Sequence, residues 1–176
     1  MENASTAAVA GQQSTEEKNA SVAKAVEPSW QPASVAPESA TYLNGLSLEG
    51  ETQRLAIAGV DSLWTKFMGR SDLHSRLNRM RVDAYVLYRD FSADYSQAEI
   101  TLGYSASQLQ GDGKVAARTP SGDYQEILAP GKHSQYVMGK AWDAVDFSKP
   151  VAAVLERHEL NSSGVVVASS VYVLYR

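Results

Sequence analysis

Residues 82–109 read VDAYVLYRDFSADYSQAEITLGYSASQL. Val82, Ala84, Val86 and Tyr88 share one parity, and Asp83, Tyr85, Leu87 and Arg89 share the other. Alternate side chains leave opposite faces of a strand, and β-branched and aromatic residues dominate, so the stretch predicts a strand. Ala98 to Tyr104 predicts a second, with Ile100, Leu102 and Tyr104 on one side and Glu99, Thr101 and Gly103 on the other. Between them Ser92-Ala93-Asp94-Tyr95-Ser96 is polar and has the length of a hairpin loop. Two antiparallel strands bury no core alone, so other elements of the chain must cover one face.

Composition bounds what the rest can be. The chain has 176 residues, 44% hydrophobic and 20% charged, in the range of a globular protein with one ordinary domain plus extensions. A net charge of -4 leaves no basic surplus for a phosphate backbone, which argues against direct DNA binding. The absence of cysteine excludes disulfides and thiolate chemistry. His74, His133 and His158 show no paired-ligand spacing, so neither a metal nor another cofactor is expected. No apolar run approaches the ~20 residues of a membrane span. The opening MENASTAAVAGQQSTEEKNASVAK has no basic start followed by an apolar segment, so no secretory leader is read and a cytoplasmic location is expected.

Residues 1–41 are rich in Ala, Ser, Pro and Glu, and predict a disordered tail in front of a domain spanning 42–176. Tyr42 to Leu48 predicts a short strand ended by Gly50 and Thr52, with Thr52 as the N-cap of a helix. Ile57, Val60, Leu63, Trp64 and Phe67 recur at three and four residues, an apolar stripe on a helix of four to five turns that Gly69 stops. Residues 70–81 form a basic connector, a turn or short helix. Gln110 to Gly122 is loop by its Gly, Asp and Pro content. Tyr124–Leu128 predicts a strand, turned or bulged at Ala129–Lys132 and resumed at His133–Met138. A short helix follows over Lys140–Phe147, then strands over Val151–Leu160 and Val165–Tyr175 around the turn Asn161–Gly164.

That order repeats. Strand, helix, strand, strand over 43–109 is followed by the same over 124–175. The reading is an α+β fold: duplicated βαββ units joining into one antiparallel sheet, with two helices on one face and a central groove at the pseudo-twofold junction.

Four stretches, in this order along the chain, carry a resemblance: IAGVDSLWTKF (57–67), AYVLYRDFSADYSQAEITLGYSAS (84–107), EILAPGKHSQYVMGKAWDAV (126–145) and LERHEL (155–160). In these the chain resembles the GyrI-like family, the effector-binding domains of bacterial multidrug-responsive transcription activators, and most of all its stand-alone, integron-cassette-associated branch. The resemblance implies the fold above and binding of small hydrophobic cationic molecules in the groove. It departs from the family in lacking a DNA-binding helix-turn-helix, in Ala98 where an aromatic often opens the second hairpin strand, and in His158 where the acidic strand usually carries an aromatic.

Glu156 matches the family's buried acid. Its parity groups it with Val154, His158 and Leu160, where a carboxylate is costly to desolvate unless a cation or donors meet it. Trp64, Tyr88, Tyr104, Tyr136 and Trp142 are the aromatics able to present ring faces to a cation beside it, each also a candidate for plain core. The alternatives for Glu156 are an ion pair with Arg157 or Arg89, or exposure, with Glu159 as the fallback acid. Besides a ligand-binding module, three readings stay open: an inhibitor with a protein partner such as DNA gyrase, a small-molecule hydrolase using the groove Glu as general base, and a structural protein whose groove is unused.

Overall fold

The computed structural model describes residues 40–78 and 80–176. The reading of residues 1–41 as a tail lies outside them, except that Ala40 and Thr41 already belong to a strand. The elements are β1 (Ala40–Leu43), β2 (Ser47–Ala56), α1 (Val60–Met68), α2 (Ser71–His74), β3 (Val82–Arg89), β4 (Gln97–Ser105), β5 (Ala117–Arg118), β6 (Gly122–Gly131), α3 (Gln135–Asp143), β7 (Val151–Leu160) and β8 (Val166–Tyr175). All eight strands form one antiparallel sheet in the order β1-β6-β8-β7-β3-β4-β2-β5.

The repeat is visible in that order. β6-β8-β7 mirrors β2-β4-β3, and β7 pairs antiparallel with β3 at the centre, so an approximate twofold axis passes between them. Chain length makes the sheet curl. Five strands separate β1 from β2, which in a flat sheet is roughly 29 Å at the usual strand spacing. Only Asn44, Gly45 and Leu46 join the two, and four Cα steps reach at most about 15 Å. The equally short link from β5 to β6 makes the same demand. The two ends therefore meet in a half-barrel, tied where the Thr119 N–H donates to the Leu46 carbonyl (2.9 Å) and the Leu46 N–H to Thr119 Oγ1 (2.8 Å).

Each face has its own core. Inside the curl Leu48, Leu87, Tyr124, Ala153 and Leu155 pack together, with the Tyr124 hydroxyl donating to the Pro120 carbonyl (2.9 Å). On the outer face Val82, Ala84, Val86 and Tyr88 of β3 and Ala98, Ile100, Leu102 and Tyr104 of β4 alternate outward as their parity predicts. α1 covers them with Leu63 and Phe67, one turn apart, and α3 with Ala141. Both helices lie on this one face.

Several element boundaries differ from expectation. Tyr42–Leu48 is not one strand, since β1 ends at Leu43 and β2 starts at Ser47, and the expected loop over Gln110–Gly122 contains β5, which pairs with β2. β2 runs on through Gly50 and Thr52, so Thr52 is no helix cap. Its hydroxyl instead meets that of Thr101 across the strand pair (2.8 Å). The strand pairing over Leu48–Ala56 consumes residues the apolar stripe had lent to a helix, and α1 is only nine residues long. His133–Met138 is not strand. Ser134 accepts from the Val137 N–H and caps α3, which starts five residues earlier than Lys140.

Candidate functional site

The outer face of β7 decides the chemistry. Glu156 sits between Val86 of β3 and Val171 of β8, at the sheet centre beside the pseudo-twofold axis, and points with Val154, His158 and Leu160 toward the helices. It is 7% exposed. Neither arginine proposed as an ion-pair partner reaches it, because their parity sends them to the inner face. Arg157 pairs there with Asp83 (2.9 Å) and Arg89 with Glu99 (2.5 Å). Glu159 leaves β7 with Arg157 and pairs with Arg81 (3.2 Å).

Glu156 is held by α3 and by its own strand. Oε1 accepts from Trp142 Nε1 (2.8 Å), and Oε2 lies 3.2 Å from His158 Nε2. His158 Nδ1 lies 2.8 Å from Ser169 Oγ of β8. A carboxylate only accepts, so His158 donates through Nε2–H, and in the neutral ring Nδ1 is left to accept from the Ser169 hydroxyl. Tyr88 packs edge-on to Trp142 with centroids 4.7 Å apart. Its phenol is pushed well above its ordinary pKa, first by burial and then by the charge of Glu156. Trp64 of α1 closes the far side, its ring edge-on to His158 at 5.3 Å. Among the described residues His158 is the one side chain able to form an ion pair with Glu156.

A cleft of about 370 Å³ opens beside this group between α1 and the start of α3. Asp61 and Trp64 line it from α1, Gln135 and Met138 from α3, and His158 and Ser169 from the sheet. His133 at its mouth donates Nε2–H to the Ala129 carbonyl (2.8 Å). The cleft carries the acid Asp61 at its rim and Glu156 behind His158, and no Lys or Arg lines it. A larger hollow of about 520 Å³ lies between β2 and α2, but all its charges except that of Lys114 are spent on one another: Arg76 pairs with Glu49 (2.6 Å) and Arg70 with Glu51 and Asp72.

Four of the six residues singled out in the sequence therefore meet: Glu156, Trp142 and Tyr88 directly, and Trp64 through His158. Tyr104 is elsewhere, packed on Phe67 (4.9 Å) with its hydroxyl 3.1 Å from His74 Nδ1. Tyr136 is 73% exposed on the outer side of α3, with the Lys140 ammonium 6.0 Å from its ring centre. Ser169, Asp61 and Met138 escaped the sequence reading. Ser169 reaches the site through the β7–β8 register, which sets it opposite His158. Among the described residues no group of three His, Asp or Glu stands where it could hold a metal. None of their helices is long and apolar enough to cross a membrane.

No family model matches the chain. No curated protein matches it either. Among solved structures the chain is similar to the integron cassette protein VCH_CASS2 from the mobile metagenome of Vibrio cholerae, at a TM-score of 0.54 and 18% identity, over 79% of this chain and 95% of that one. The likeness is one of fold.

Proposed function

We propose that the cleft between α1 and α3 binds a small hydrophobic cation, as an effector-binding module of the GyrI-like kind. The observation that carries this reading is the charge of the cleft. Its walls are Trp64 and Met138, Asp61 lines it, Glu156 lies behind His158, and no Lys or Arg among its lining offsets these acids. A carboxylate walled by Trp142, Tyr88 and Trp64 sits in a poor dielectric, so its field on a nearby cation is screened less than at the surface. Ring faces add about 0.5–2 kcal/mol for each aromatic a cation meets. His158 stands between Glu156 and the cleft, so the cation either lies against the His158 and Trp64 rings or turns the imidazole aside to reach the carboxylate.

The test is a charge series on one scaffold. Cationic, neutral and anionic members of one dye family are titrated against the full chain, read by dye anisotropy and tryptophan quenching. The cation binds most tightly and the anion least, and Asp61→Asn narrows the gap. Equal affinity for all three members sinks the reading.

A further inference from the structure

We infer that Ser169, His158 and Glu156 form a nucleophile–base–acid relay, and that the cleft transfers acyl groups from small esters to water through Ser169. The inference uses the same cleft as the proposed ligand site but does not need the ligand to be cationic.

The relay has the connectivity that activates a hydroxyl. Ser169 Oγ is 2.8 Å from His158 Nδ1, and His158 Nε2 is 3.2 Å from Glu156 Oε2. Three features make it more than a buried histidine with satisfied nitrogens. The tautomer imposed by the Glu156 carboxylate leaves Nδ1 as an acceptor aimed at the Ser169 proton, the state a general base needs. Trp142 occupies the other Glu156 oxygen and fixes the carboxylate, while the Trp64 ring fixes the imidazole from the side. Both Ser169 and His158 line the cleft, so a carbonyl carbon lodged there can reach Oγ. Gln135, at the start of α3, lines the same cleft.

The chemistry balances without a cofactor. Ser169 Oγ attacks the ester carbonyl as its proton passes to His158 Nδ1, and the imidazolium is held by Glu156 across Nε2–H. The C–O bond to the alcohol breaks, His158 returns the proton to the departing alkoxide, and Ser169 is left as the acyl ester. Water then attacks the acyl carbon as its proton passes to His158 Nδ1, the C–Oγ bond breaks to release the carboxylic acid, and His158 returns the proton to Ser169 Oγ. Ser169 and His158 are the catalytic residues, and Glu156 is a positioning residue acting through His158. The walls of Trp64 and Met138 favour an apolar acyl or alcohol group.

The test uses the full chain with an alkyl fluorophosphonate and with p-nitrophenyl butyrate. One phosphonyl adduct forms per chain with loss of fluoride, on the peptide containing Ser169, and the ester gives a burst of nitrophenolate. Ser169→Ala removes both and lowers ester turnover by about a hundredfold or more. Glu156→Gln lowers kcat while leaving KM in place, a split that a merely structural role does not produce. No adduct on the folded protein, an adduct on another residue, or an unchanged rate in Ser169→Ala overturns the proposal. Should Ser169→Ala not fold, the site of the wild-type adduct decides alone. Acylation without cation preference breaks only the ligand reading above, and cation preference without acylation breaks only this one.

Discussion

Replacing Trp142 by Phe keeps an aromatic ring against Tyr88 and deletes the indole N–H that Glu156 Oε1 accepts at 2.8 Å. A hydrogen bond to a charged group contributes about 1.5–3 kcal/mol, and a neutral one about 0.5–1.5. The smaller ring also loses packing, which alone would leave the result uninterpretable. A double-mutant cycle with Glu156→Gln removes that term, because the lost packing is the same in both backgrounds while the lost bond is charged in one and neutral in the other. Trp142→Phe should therefore destabilise the wild type by about 1 kcal/mol more than it destabilises Glu156→Gln. Against a domain stability of ~5–15 kcal/mol, urea unfolding of the four proteins resolves the difference. A coupling within about 0.3 kcal/mol of zero would mean that the Trp142 N–H does not serve the Glu156 charge, and the buried acid would need another explanation.

Phe67 of α1 is fully buried against Tyr104, so Phe67→Ala should cost about 3–5 kcal/mol. Trp64→Ala, at a half-buried position, should cost less while removing the cleft wall, and urea melts that reverse this order would misplace the cleft. Gly50 faces Gly103 across β2 and β4, where an added Cβ would drive into the Leu102 carbonyl and the Gly103 Cα. Gly50→Ala should lose more than about 4 kcal/mol, and a folded protein of normal Tm would show that the strands can separate there. Burial pushes the Tyr104 and Tyr124 phenols up to about 12 and Tyr88 well above its ordinary value. These phenols are harder to ionise folded than unfolded, so their contribution is full below about pH 10 and is lost as pH rises toward 12. Phenolate absorbance should rise in two stages, the second coinciding with unfolding; a single stage near 10 with the fold intact would refute it.

The outer face of the sheet was legible because parity is local: Val82, Ala84, Val86 and Tyr88 could hardly share a face in any other conformation. The same rule places Glu156 on this face and Arg89 and Arg157 on the opposite one. The helices were less legible. The apolar stripe from Ile57 does not show that Thr52 belongs to β2, because strand pairing to β4, a contact between residues about fifty positions apart, leaves no mark on the local period. At α3 the mark was present. Ser134 stands as a cap before Met138, Ala141, Trp142 and Val145, a helical period that the strand-like His133–Met138 concealed. Ser169 is the clearest case of what a single chain cannot show. Nothing in VVASSVYVLY says which serine faces a histidine until the register sets Ser169 against His158, and a one-residue slip would send it to the inner face.

The proposed preference of the cleft for a cation rests on the charge of Glu156, and Glu156→Gln removes that charge alone. Glutamine keeps the shape and can keep each bond: its oxygen accepts from Trp142 Nε1, and its amide donates to His158 Nε2 once the ring proton moves to Nδ1 and turns to Ser169. Stability without ligand should hold or rise, since no carboxylate has to be desolvated. One cationic dye and its neutral analogue are titrated against wild type and Glu156→Gln. Affinity for the cation should fall ten- to a hundredfold, the equivalent of about 1.5–3 kcal/mol, while that for the neutral analogue stays level or improves. An equal loss for both dyes, or no loss for either, would contradict the claim and remove Glu156 from the site.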